Sequence, residues 1–226
     1  IIVLSTDFRL VLLSDSLGKG LVLEGVDVQT ISGLKIQSIF RKDTRDQFNW
    51  DFHAFFILVG SNDLFGQETE SPQFYCYVRS LVALIRIYNP DALIIFASIP
   101  PRLIYIKRLD QFVIHNKIRH FNNAMNVACE DSSVKYINIH KRMVTVDRHD
   151  QVMVLPDMLK PDGIQLGVAG RQLVVEVIQK ELTIPKIQLH YNKMRMLRAA
   201  ESRLKSSCPV RKQYIPLEQL IRDNKL

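Results

Sequence analysis

The amino-acid sequence predicts an α/β protein, a three-layer α/β/α sandwich around a central parallel sheet. Short apolar runs alternate with longer amphipathic stretches, which is the pattern of repeated βαβ units. The apolar runs are continuous rather than alternating, as strands buried on both faces require. With 226 residues, 47% of them hydrophobic, the chain is large enough to bury a core for one domain.

The first strand is expected at residues 9–13, where Leu10 to Leu13 run without a polar break, and the second at residues 26–31. Leu34, Ile36, Ile39 and Phe40 have the three-and-four spacing of a helix over residues 34–41,. A third strand is expected at residues 54–59. The helix over residues 74–88 is introduced by Ser71-Pro72 and stopped by Asn89-Pro90, since proline disfavours a helical residue before it,. A strand at 93–98, a helix at 117–129, a strand at 135–139 and a helix at 169–182 complete the sandwich. Pro100-Pro101 opens a stretch containing Arg102, Lys107 and Arg108, expected as a loop over the carboxyl edge of the sheet, where open α/β folds bind ligands,.

Two regions are expected: an α/β domain over residues 1–185, and a basic C-terminal helix and tail over residues 186–226 packed on it. Tyr191, Met194, Leu197 and Leu204 recur at helical intervals in the second region, which Pro209 and Pro216 then interrupt,. The chain has a net charge of +7. All of that excess lies from Lys186 onward, where ten basic residues face Glu201, Glu218 and Asp223. A segment of this kind attracts polyanions such as RNA or anionic lipid, or else forms a solvated helix face. The chain starts at Ile1 rather than Met, so a domain taken from a longer protein is expected. The apolar runs are too short for a signal peptide or a membrane span. Cys76, Cys129 and Cys208 have no metal-type spacing, which suits reduced thiols inside a cell and predicts neither a metal nor any other cofactor.

The chemistry-bearing residues lie where the predicted strands end. Ser14-Asp15-Ser16-Leu17-Gly18 follows the first strand, Gly33 the second and Gly60-Ser61-Asn62-Asp63 the third. Asp162-Gly163-Ile164-Gln165 comes late in the chain. Taken singly, Ser16 suits a helix N-cap, and Asn62 and Asp63 suit turn and cap chemistry. In this order they resemble the four signature blocks of the SGNH (GDSL-type) hydrolases over residues 8 to 182, with Ser14 where glycine is usual. The resemblance implies Ser16 as nucleophile and an oxyanion hole formed by the Ser16 N–H, Gly33 and Asn62. It also implies a histidine three residues after Asp162 as the base, a position that Gln165 occupies here. An amide has no useful basicity at neutral pH, and loss of a triad base costs about 10³ to 10⁶ in rate. A pseudo-hydrolase is therefore expected, with Ser16, Gly33, Asn62, Asp162 and Gln165 as vestiges, no catalytic residue and no small-molecule substrate. His149 precedes Asp162 in the same connection and is the alternative base.

The altered last block, the Ser-Asp-Ser-Leu-Gly-Lys turn and the basic tail together resemble the OSK domains of insect germ-plasm organisers. That resemblance implies binding of mRNA, in single-stranded regions such as 3′ untranslated regions, together with germ-granule proteins in cytoplasmic ribonucleoprotein granules, for germ cell formation and posterior patterning. Binding of this kind rests on phosphate contacts, with stacking on exposed aromatics or Arg planes. The candidate residues are Lys193, Arg195, Arg198, Arg203 and Lys205, then Arg41, Lys42 and Arg45 near Trp50, then Arg211 and Lys212 beside Tyr214. Trp50 is expected in the core. Two alternatives stand beside this reading: an active esterase on a small acyl or acetyl ester, and a protein-interaction module using the Tyr191, Met194 and Leu197 face.

Overall fold

A computed structural model describes residues 8–65, 70–103, 111–148 and 152–207. Strands β1 (Leu10–Ser14), β2 (Val26–Thr30), β3 (Ala54–Leu58), β4 (Leu93–Ala97) and β5 (Lys135–Ile137) form one sheet in the order β2-β1-β3-β4-β5. Every pairing in it is parallel. The order turns at β1, the position at which doubly wound sheets open a crevice at their carboxyl edge. Ser14 is level with Thr30 on one side and with Leu58 on the other, so the loops that follow these three strands leave the sheet at the same height.

Alternation of side chains along each strand divides the core into two layers. Val11, Leu13, Phe55, Ile57, Ile94 and Phe96 pack with helices α2 (Ser71–Tyr88) and α3 (Gln111–Asp131). Leu12, Ala54, Phe56, Leu58, Ile95 and Ala97 pack with α5 (Val168–Glu181) and with Ile187 near the start of α6 (Ile184–Ser207). All five residues of β3 are buried, as the uninterrupted apolar run requires. Helix α2 carries Pro72 in its first turn, where a missing N–H costs nothing, and ends where the Asn89 N–H donates to the Ile85 carbonyl,.

The helix expected over 34–41 is instead a 3-10 segment, Ile36–Phe40, followed by the single turn α1 (Lys42–Arg45). Two facts explain the difference. The Ile36 N–H is taken by the Asp63 carboxylate at 3.1 Å, and Ile36 and Ile39, three apart, are both buried, which is the period of the tighter helix. The strand expected at 135–139 ends at Ile137 and gives way to the single turn α4 (His140–Met143). The sequence reading also missed the antiparallel pair β6 (Val144–Val146) and β7 (Val152–Val154), whose three-residue strands are too short to show a period,. Trp50 is in the core: its ring stacks near Tyr88 and Phe55, and its Nε1 donates to the Arg45 carbonyl at 3.0 Å.

The chain divides into two compact units, up to Tyr191 and from Asn192 onward. Within the first, Tyr191 anchors the opening turns of α6. Its hydroxyl accepts from Asn89 Nδ2 at 2.9 Å and donates to the His53 carbonyl at 3.3 Å, and its ring lies against Phe8 and His53. In the second, the described stretch is the rest of α6, with Lys193, Arg195 and Arg198 exposed. Among the described residues no helix is long and apolar enough to cross a membrane.

Phe74, fully buried and with its ring centroid 4.7 Å from that of Phe121, joins α2 to α3. Truncation to alanine is expected to cost about 3–5 kcal/mol in denaturant unfolding, whereas Phe112→Ala, at an exposed position on α3, is expected to cost less than about 0.5 kcal/mol.

Candidate active site

The turn after β1 is built around a buried carboxylate. Asp15 Oδ1 accepts from the Leu17 N–H at 2.9 Å and so caps the 3-10 turn Ser16–Gly18. The cap is thus Asp15 and not Ser16, which leaves the serine hydroxyl without a structural task. Among the described residues the Ser16 hydroxyl makes no hydrogen bond. The serine at position 14 is accommodated because its hydroxyl donates to the Leu58 carbonyl at 2.8 Å. Gly18 is required by close approach: a Cβ there would sit 2.7 Å from Ser14 Cβ and 2.9 Å from Thr30 Cγ2.

The loop after β2 brings Gly33 to the same edge, exposed and with φ +74°. Neither its N–H nor that of Ser16 donates to a described residue, so both suit a developing oxyanion,. Asn62 behaves differently. Its Nδ2 donates to the Leu34 carbonyl at 3.1 Å and to Asp15 Oδ2 at 3.2 Å, which uses both amide hydrogens. The Leu34 carbonyl can only accept, and this settles which end of the amide carries the nitrogen,. Asn62 therefore ties the loops after β1, β2 and β3 together, and it can donate to a substrate only by releasing the longer bond to Asp15.

Asp63, fully buried, accepts from the Ile36 N–H and so fixes the segment after Gly33. Desolvation raises its pKa from 3.8 to about 6, with the neighbouring Asp15 adding to the rise against the opposing Ile36 N–H and Lys35,. Asp162 is exposed, and its Oδ1 accepts from the backbone N–H groups of Ile164 and Gln165, both at 2.9 Å. These bonds, with Lys160 and Arg102 nearby, hold its pKa below the usual carboxylate range. The side chain of Gln165 is already engaged, since its Oε1 accepts from Lys160 Nζ at 2.7 Å.

The 162–165 loop is fastened to the end of β4: the Leu103 N–H donates to the Gly163 carbonyl at 2.8 Å. Gly163 has φ +66°, and a Cβ there would lie 1.9 Å from the Leu103 carbonyl oxygen, so a side chain at 163 would force the two loops apart,. Beside Leu103, Arg102 is buried and donates from Nη2 to Ser61 Oγ at 2.9 Å. Asp15, Ser61 and Arg102 are contributors to the site that motif spacing did not mark as functional. The available signal was an arginine directly after Ile99-Pro100-Pro101 at a strand end.

No described histidine hydrogen-bonds to Ser16. His53 accepts from the Arg9 N–H and lies tilted against the Tyr191 ring. His115 and His140 meet edge to face with centroids 6.2 Å apart, and burial pushes His140 down to about 4. His120 is exposed on α3. His190 is lowered by burial, and His149 lies outside the described residues. The described residues hold no cluster of metal-ligating side chains. Of the basic candidates, Arg41 and Lys42 are exposed, while Arg45 is half-buried and 3.6 Å from Asp46. With Trp50 buried, these three have no exposed tryptophan beside them. The side chains of Arg203 and Lys205, and all of Arg211, Lys212 and Tyr214, lie outside the described residues.

The model of the GDSL-like lipase/acylhydrolase family matches residues 7–173. Among solved structures, the chain is similar to a GDSL-like lipase from Bacteroides thetaiotaomicron at 19% identity and a TM-score of 0.62, covering 79% of this chain and 88% of that one. It is also similar to an acetyl xylan esterase (15% identity, TM-score 0.60, 78% and 100% covered). A lipase/acylhydrolase from Enterococcus faecalis is a further neighbour (16% identity, TM-score 0.53, 78% and 98% covered). No curated protein sequence matches. These matches correct the expectation of a pseudo-hydrolase drawn from Gln165. The matched family is one of lipases and acylhydrolases.

Because the folded-state pKa of Asp63 lies above 3.8, the folded protein retains a proton that the unfolded chain has released. Its contribution to stability is fully present below 3.8 and is lost as pH rises through about 6. The stability of the wild type relative to Asp63→Asn is expected to fall by up to about 3 kcal/mol across that window, measured by denaturant unfolding at pH 4, 6 and 8.

Proposed function

The chain belongs to the GDSL-like lipase/acylhydrolase family, and on that premise we propose that it hydrolyses small acyl esters with the Ser16 hydroxyl as nucleophile. The observation that carries this reading is that, among the described residues, the Ser16 hydroxyl and the N–H groups of Ser16 and Gly33 make no hydrogen bond where they leave the carboxyl edge of the sheet. Attack forms a bond from Ser16 Oγ to the acyl carbon and moves the carbonyl electrons onto oxygen, where the two N–H groups stabilise the charge. Collapse of that intermediate expels the alcohol, which takes its proton from water. A second water then hydrolyses the acyl-serine ester and restores the hydroxyl.

The serine proton goes to hydroxide or water in this reading, since Gln165 has no basicity and is held by Lys160. Turnover is therefore slow, and it rises with pH. On a chromogenic acetyl ester, kcat/KM is expected to climb nearly in proportion to hydroxide concentration from pH 7 to 9 and to vanish in Ser16→Ala. Gln165→His, which returns an imidazole to the loop, is expected to raise it by at least about 10² at pH 7.5. Absence of Ser16-dependent hydrolysis in both the wild type and Gln165→His overturns the reading.

The exposed Lys193, Arg195 and Arg198, in the segment that carries all of the excess positive charge, favour a second reading that is compatible with the first. Here the segment binds single-stranded mRNA. The resemblance to OSK domains extends it to 3′ untranslated regions and germ-granule proteins in cytoplasmic granules. Fluorescence anisotropy with a single-stranded RNA is expected to show affinity falling steeply with salt, by about 0.7 in the logarithmic slope per phosphate contacted. Changing Arg195, Arg198 and Arg203 together to Glu is expected to abolish the binding, and salt-independent or absent binding by the intact chain sinks this second reading.

A further inference from the structure

Three side chains from three separate loops form a buried hydrogen-bonded line that ends on Asp15, the residue before Ser16. Arg102 Nη2 donates to Ser61 Oγ at 2.9 Å, and the Ser61 hydroxyl donates to Asp15 Oδ2. The other oxygen of Asp15 holds the Leu17 N–H. The accessibilities are 0% for Asp15, 1% for Ser61 and 5% for Arg102, so a carboxylate and a guanidinium are both withdrawn from water in one small volume. A buried charge of either sign is strongly unfavourable alone and tolerable when compensated. Leu103, the next residue, is bonded to Gly163, so the same segment also sets the position of the Asp162 loop.

We propose that Arg102 is a positioning residue: through Ser61 it keeps Asp15 ionised, and the ionised Asp15 holds the turn that presents Ser16. Several groups act on this line. Asp15 faces Arg102 and, less favourably, Asp63, while Arg102 faces both Asp15 and Asp162. Burial raises the pKa of Asp15, and the bonds from Ser61 and Leu17 and the charge of Arg102 oppose that rise. Without Arg102 the opposing charge is gone, so the proton returns to Asp15 at a higher pH and the carboxylate loses strength as acceptor for the Leu17 N–H. The line is independent of Gln165, and its role in presenting Ser16 rests on the esterase reading above.

The test is a double-mutant cycle in the full chain with Arg102→Met, Asp15→Asn and both together, read by urea unfolding from pH 5 to 8. Each single variant is expected to raise the unfolding constant about a hundredfold or more at pH 8. The double variant is expected to fall at least about tenfold short of the product of the two. Because a raised folded-state pKa removes stability as pH rises, Arg102→Met is expected to lose stability toward pH 8 more steeply than the wild type, Asp15→Asn to remove that added slope and leave the loss through about pH 6 that belongs to Asp63, and Arg102→Lys to restore most of the wild-type profile. If Arg102→Met does not fold, Ser61→Ala interrupts the same line and is expected to steepen the pH slope in the same direction. Single effects that simply multiply, with an unchanged pH slope, overturn the proposal. For the esterase, Arg102→Met is expected to lower kcat at least about tenfold with KM within about twofold, and unchanged kcat also overturns the positioning role. The unfolding cycle needs no turnover, so absence of esterase activity defeats that reading and leaves the cycle to decide on the line itself.

Discussion

The carboxylate of Asp15 is the point on which the carboxyl edge of the sheet depends. It is fully buried and collects donors from the Leu17 backbone, the Ser61 hydroxyl and the Asn62 amide. A charge in that position is unfavourable unless its oxygens are satisfied, so the loops after β1 and β3 have to converge on it. The Gly33 loop is drawn in through Leu34 and Ile36, which bond to Asn62 and Asp63. The geometry of the site follows from keeping one carboxylate hydrogen-bonded in a place that water does not reach.

Much of the fold was legible because it is local or periodic. The apolar run of β3, Pro72 in the first turn of α2 and the stop at Asn89 need only neighbours in sequence to be recognised, and all three stand as expected. The 3-10 segment at Ile36–Phe40 was missed because its conformation depends on Asp63, 27 positions further on. The pair β6 and β7 was missed because three residues carry no readable period,.

The site was legible to the same limit. Strand ends bring Ser16, Gly33 and Asn62 to one edge, since the parallel registers level those ends. What those residues bond to was not legible. The family resemblance implies Asn62 as an oxyanion donor, whereas its two hydrogens are already committed to Leu34 and Asp15. Gln165 reads as a missing base, and the structure adds that its amide is held by Lys160. Arg102 and Ser61 lie 41 positions apart and meet only because β3 and β4 are adjacent.

Trp50 is the one tryptophan in the chain, and it is stacked near Tyr88 and Phe55 at 6% exposure. Its emission is consequently an optical probe confined to the α/β core, with no second indole to dilute the signal. A single fluorophore thus reports on loss of the α/β core without any label being added.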